Sequence, residues 1–262
     1  MSRALKILYR SNPVLAITGW AHWALVAVLV VLLATDSRTI LGINAWIKPI
    51  KFSTSIAIYA WTLAWYLRYL TGSARAVRIV SWGVAVTMFT EIALITMQAA
   101  RGKTSHFNAS SAFNGAVFGI MGVMIALNTV LVVWVLVLFL RNRPEIADSY
   151  LWGIRLGLLL FLVAGVEGGM MVAHNGHTVG APDGGPGLPF VNWSTQHGDL
   201  RVMHFVGMHA LQVLPLIGWL LSRGEGARRT QVAYTIACGG VYLALMYYLG
   251  WMAFEGHPLL SA

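Results

Sequence analysis

The sequence predicts an all-α polytopic membrane protein: a bundle of seven transmembrane helices with the N-terminus inside, the C-terminus outside and an ordered outer loop. Three observations predict it. Hydrophobic types make up 58% of the 262 residues and charged types only 10%, whereas a soluble domain carries about 25% charged residues. Mean hydropathy is +0.69. The apolar residues fall into runs at roughly 13–34, 52–70, 76–98, 113–140, 149–173, 201–222 and 230–254, each near the ~20 residues a helix needs to cross a bilayer. With the N-terminus inside, twelve of the 18 lysines and arginines lie at inner ends and six at outer ends, the bias that sets orientation in membranes.

Each run has its own justification. The first follows Arg3, Lys6 and Arg10. It is longer than the roughly 7–15 apolar residues of a signal peptide, so it reads as a retained anchor. The second begins beside Lys51, which reaches the outer interface by snorkelling; Lys48 is a further outer cation. The third carries Glu91 and Gln98 on one face, aimed toward Arg101. The fourth holds Gly115, Gly119 and Gly122, and the fifth holds Gly153 and Gly157. Small residues at this spacing let helices of one bundle approach closely. Beyond them Glu167 shares a helix face with Met170, Met171 and His174. The sixth run carries His204 and His209; the seventh has no lysine for a retinal Schiff base.

Most connections are short. The exception is 174–200, with six glycines and three prolines, which is expected to be neither helix nor strand. Its Leu188, Phe190 and Trp193 suggest a packed lid, since a long loop in a compact protein is commonly functional. No internal repeat is visible, and 1–262 reads as a single domain. Trp46, Trp82, Trp152, Trp193 and Trp251 sit at run ends and read as interface anchors.

Several functions are excluded. The net charge of +9 comes from basic residues scattered at run ends, so no nucleic-acid surface is implied. One cysteine, Cys238, leaves no internal disulfide and no cysteine metal cage. The phosphate-binding loop, the nucleophile elbow and the H-E-x-x-H zinc motif are all missing. No C-x-x-C-H provides for covalent haem.

What remains is a short set of ionisable groups within apolar runs, where charge is costly and faces the bundle interior. His22 and His209 fall near the midplane of different helices, as a bis-imidazole haem requires; with a third ligand they also suit copper or zinc. His204 and His209 are five apart, a rotation of about 140°, so they do not chelate from one regular helix. The leading expectation is a redox protein that binds haem or copper through His22, His204 and His209, with His174 a further metal candidate. Glu91 and Glu167 would handle protons. Arg101, Arg201 and Asp199 would organise an outer mouth for a quinol or a small anionic substrate. The same residues fit a proton-coupled transporter using Glu91 and Glu167. They also fit a membrane zinc hydrolase, or an assembly subunit of a respiratory complex. Short loops and arginine-rich inner ends suit a bacterial inner membrane.

Overall fold

A computed structural model describes residues 3–261, with side chains from Leu5 onward. Met1, Ser2 and Ala262 lie outside the described residues, as does the side chain of Arg3, one of the inner cations. The chain forms two compact units, Met1–Leu131 and Val132–Ala262.

The first unit opens with α1 (Arg3–Ser11), whose Leu8 is buried while Lys6 and Arg10 are exposed. Asn12 ends it and starts α2 (Pro13–Thr35). The Asn12 side chain accepts from Leu15 N–H at 3.1 Å, and Pro13 occupies the first helical position, where its missing N–H is harmless. A tight hairpin follows, β1 (Thr39–Ile40) with β2 (Ile43–Asn44). Its turn places Leu41 at φ +50° and Gly42 at φ +79°, the double left-handed geometry that matches strand twist. Then come α3 (Ile47–Leu67), α4 (Ala74–Ala100) and the first part of α5 (Ala112–Arg141). Gly19 fixes the approach of α2 to α3: a Cβ there would stand 2.1 Å from Trp61 Nε1.

The second unit holds the rest of α5, then α6 (Asp148–His174), β3 (Thr178–Val179), β4 (Gly198–Asp199), α7 (Arg201–Ser222) and α8 (Arg228–Phe254). The small-residue reading of the fifth run holds here within one chain. A Cβ on Gly153 would stand 2.5 Å from the Leu214 carbonyl oxygen, and one on Gly157 2.8 Å from that of Ala210. Gly218 of α7 approaches α6 equally closely, 2.2 Å from Ser149 O. On α5, by contrast, added Cβ atoms at Gly115, Gly119 and Gly122 meet nothing within 4 Å.

The expected count of seven spans is corrected. Among the described residues, six helical segments are long and apolar enough to cross a membrane: Pro13–Thr35, Thr71–Ala100, Ala112–Arg141, Asp148–His174, Arg201–Ser222 and Arg228–Phe254. Length is not what α3 lacks, at 21 residues. Its Lys48, Lys51, Ser53, Thr54, Ser55 and Thr62 dilute its apolar character. Eleven of its residues are buried, so neighbouring helices rather than lipid face much of it. The N-inside, C-outside pair needs an odd number of spans, and six candidate spans do not provide one. The integral-membrane reading itself stands. Valines such as Val166 and Val241 are 69% and 71% exposed, and such apolar faces need lipid as solvent.

The long connection is also more structured than expected. It contains β3 and β4, paired antiparallel with Thr178 opposite Asp199. Between them Leu188 N–H donates to Trp193 O at 2.8 Å and Thr195 N–H to Pro186 O at 3.1 Å. Gly198 lies against the end of α8, where a Cβ would stand 1.9 Å from Ala253 O. Trp193 packs edge-on against Phe205 at 5.4 Å, whereas Phe190 stays exposed. Trp46 is not an interface anchor: it is buried and donates its indole N–H to Asp36 at 2.9 Å.

Candidate functional site

In the second unit α6 and α7 together position a carboxylate and an imidazole. Glu167 is 1% exposed, and among the described residues neither of its carboxylate oxygens has a hydrogen-bond partner. His204 Nδ1 lies 3.3 Å from Glu167 Oε2 and 2.8 Å from the Ala164 carbonyl oxygen. A carbonyl only accepts, so Nδ1 carries the hydrogen and gives it to Ala164. The contact with Glu167 is then an ion-pair distance without hydrogen-bond geometry. Ala164 and Glu167 are three apart on α6, so one ring edge reaches both. Gly168 lets the ring lie against the helix: a Cβ there would stand 3.1 Å from His204 Cε1. In the neutral imidazole the lone pair is therefore at Nε2.

Above this pair the connection is pinned by two other carboxylates. Asp199, buried at the start of α7, accepts from Arg201 Nε at 2.8 Å, Arg201 Nη2 at 2.5 Å, Arg201 N–H at 3.0 Å and Ser194 N–H at 2.8 Å. Arg201 also donates to the Asn192 carbonyl. Asp183 accepts from His177 N–H at 3.0 Å, His177 Nδ1 at 2.7 Å and Thr178 N–H at 2.9 Å. Burial pushes the Asp183 carboxyl up, but the His177 ring and the Thr178 donors outweigh it and hold it well below the usual carboxylate range.

The other histidines of this unit go elsewhere. His174 closes the end of α6, its Nε2 3.0 Å from Thr178 O, beside Asn175 at φ +57°. The His209 ring packs on Phe205 at 4.5 Å, which joins it to Trp193 of the lid. Because α7 is α-helical throughout, the five-residue offset holds and His204 and His209 have separate partners. Met203 and Met208 pack against the apolar core of this unit, with Met203 Sδ 2.5 Å from where a Gly250 Cβ would stand; they are core residues, as methionine commonly is.

The first unit holds a second set. His22 is 1% exposed. Its Nδ1 donates to the Thr18 carbonyl at 2.7 Å, which leaves the lone pair of the neutral ring at Nε2, a buried atom without a hydrogen bond. Glu91 is 2% exposed, its Oε1 has no hydrogen-bond partner, and the charge acting on it is Lys48. Gln98 lies on the Glu91 face as expected and accepts from Arg101 Nη1 at 2.6 Å. Asn114, which the sequence reading missed, accepts from both Arg101 and Gln98 at 3.1 Å. Its polar side chain near the start of an apolar run was the available signal.

Comparison with family models, with curated proteins and with solved structures gives no match. The site alone therefore carries the functional argument. Among the described residues no group of three His, Cys, Asp or Glu is placed to hold a metal ion. His22 belongs to one unit and His174, His204 and His209 to the other. Glu91 and Arg101 likewise belong to the first, and Glu167, Asp199 and Arg201 to the second.

Proposed function

We propose that this integral membrane protein handles protons at Glu167 and His204, beneath the connection 174–200. The supporting observation is the bare, buried Glu167 carboxylate beside an imidazole whose tautomer is fixed by Ala164. A proton arriving at His204 Nε2 makes an imidazolium, and its charge then sits at ion-pair distance from Glu167. Loss of that proton from the imidazole leaves a buried carboxylate with neither donor nor counter-charge, a state that draws the proton onto Glu167 itself or demands a cation. Such a site alternates between holding and releasing a proton, which is what a proton-coupled permease requires. The lid residues Asp199 and Arg201 saturate one another, so they shape the entrance. A bacterial inner membrane suits the short connections.

The test counts protons. Purified protein in lipid nanodiscs is titrated across neutral pH, and proton uptake is compared with that of Glu167→Gln. The reading expects one proton fewer in the variant. Identical uptake would overturn it.

A second reading, haem or copper ligation, is favoured by His22. A buried imidazole with Nδ1 on a backbone carbonyl and Nε2 without a hydrogen bond is arranged as metal-bound histidines are. Absorption spectra of oxidised and reduced protein with elemental analysis decide it: a Soret band or stoichiometric copper lost in His22→Ala supports it, and a colourless, metal-free protein rejects it.

A further inference from the structure

One end of the first unit gathers cations that have no carboxylate to meet. The unit holds two acidic residues, Asp36 and Glu91. Asp36 caps the opposite end of α2 and pairs with Arg38, and Glu91 is buried within α4. Where α1 meets α2, Lys6 and Arg10 are exposed on α1, and Arg75 and Arg78 are exposed at the start of α4. The two pairs are tied together. Asn12 Nδ2 donates to Ser81 Oγ at 2.7 Å, and Arg10 and Arg78 each lie within a turn of that bond. Trp61 of α3 donates to the Ala16 carbonyl at 3.2 Å, so the last turn of α3 lies beside α1, and Arg68 follows that turn. Its guanidinium is held over Trp65 and Tyr69, 3.6 and 4.5 Å from their ring centroids, and among the described residues its Nε has no acceptor. Among the described residues none of these five cations makes an ion pair. The loops of the second unit are built otherwise: Glu145, Asp148 and Glu225 stand among their arginines, and Arg228 pairs with Asp148.

Two features point to lipid as the source of the missing anion. Arg75, Arg78, Trp82 and Val86 recur every three or four residues, so they share one face of α4. All four are exposed, Trp82 by 58% and Val86 by 57%. Two guanidinium groups followed by bare apolar side chains match the order of a phospholipid, charged head first and acyl chain next. Trp82 stands at the boundary, where indoles collect. The second feature is α1. Its nine residues are too few to cross a bilayer. Lys6 and Arg10 share one face of it while Leu8 is buried, the arrangement of a helix at headgroup level. A soluble anion would use the charges and leave the apolar stripe bare.

We propose that this end of the first unit binds an anionic phospholipid. Its phosphodiester group lies among Lys6, Arg10, Arg75 and Arg78, and an acyl chain runs along Trp82 and Val86. Arg68 adds a positive charge fixed in place by Trp65. The interaction is electrostatic and at the surface, so it requires no closed cavity. It stands apart from the proton reading, since Glu167 and His204 belong to the second unit.

The test uses the full chain in phosphatidylcholine vesicles that contain a rising fraction of phosphatidylglycerol with brominated acyl chains, a contact quencher of tryptophan. The difference between each protein and its Trp82→Phe counterpart isolates the signal of Trp82. Brominated phosphatidylglycerol is expected to quench that signal at a fraction about tenfold lower than brominated phosphatidylcholine does. One cation near an anionic surface contributes about fivefold, so the preference should fall at least fivefold in Arg75→Gln/Arg78→Gln. Both side chains are exposed and unpaired, so the fold is kept. Lys103→Gln, an exposed cation beyond the other end of α4, should leave the preference unchanged, as should glycerol 3-phosphate on both sides of the vesicle. Equal quenching by the two lipids, or a preference retained in the double variant, would overturn the proposal. So would a preference lost in Lys103→Gln, or one abolished by glycerol 3-phosphate, which would mark a site for soluble phosphate.

Discussion

Two kinds of carboxylate stand one above the other in the second unit, and they are built in opposite ways. Asp199 and Asp183, in the connection between α6 and α7, are saturated with donors: four N–H groups reach Asp199 and three distinct donors reach Asp183. Glu167, inside a membrane-length helix, receives no hydrogen bond at either oxygen although it is as buried as Asp199. Saturated carboxylates hold backbone in place; a bare one in lipid-facing protein is retained at a cost, and its use must lie in what it receives from outside.

The largest effect is expected at Asp199. Asp199→Ala strips the buried partner from Arg201 and Ser194, and a loss of about 3–5 kcal/mol is expected. It is read as a lower unfolding midpoint and rapid proteolysis within 174–200. Next come the helix contacts that carry both carboxylates. Gly218→Ala forces α7 away from Ser149 and should cost about 1–3 kcal/mol, whereas Gly122→Ala, in open space, should be neutral or slightly stabilising in thermal unfolding.

Acid distinguishes the lid further. The Asp183 carboxyl is held below its unfolded value of about 3.9, so its contribution is fully present above that pH. It is lost as pH falls through the folded value, because the unfolded chain takes up the proton first. Hydrogen exchange at His177 and Thr178 should therefore quicken below about pH 4, and Asp183→Asn should show the faster exchange already at neutral pH. The smallest effect is expected at Glu167. Glu167→Gln breaks no hydrogen bond, so its unfolding midpoint should differ from wild type by less than about 1 kcal/mol equivalent. A large loss there would mean that Glu167 is structural after all.

Much of this was legible in the sequence for a physical reason: in an apolar run a carboxylate or imidazole stands out, so Glu91, Glu167, His22 and His204 were found by polarity alone. The burial of Gln98 and its link to Arg101 followed from helical spacing. Other features depended on partners far along the chain. That α3 is shielded by neighbours rather than apolar is set by tertiary contact, so its Lys51 reads in the sequence as the outer end of a span. His204 meets Ala164 forty residues away, and Lys48 meets His106 fifty-eight away; no periodicity reports such pairs. The two short strands of the connection are held by Asp183, Asp199 and close backbone approach at Gly198, while its glycine and proline content indicated only a turn-rich segment.

The most direct test is pH-induced infrared difference spectroscopy of the protein in lipid, followed in the carbonyl-stretch region of protonated carboxylic acids. Protonation of Glu167 should give a titrating band that disappears in Glu167→Gln and shifts to a different pH in His204→Gln. A band unchanged in Glu167→Gln, or one that titrates at the same pH with and without the His204 imidazole, would contradict it.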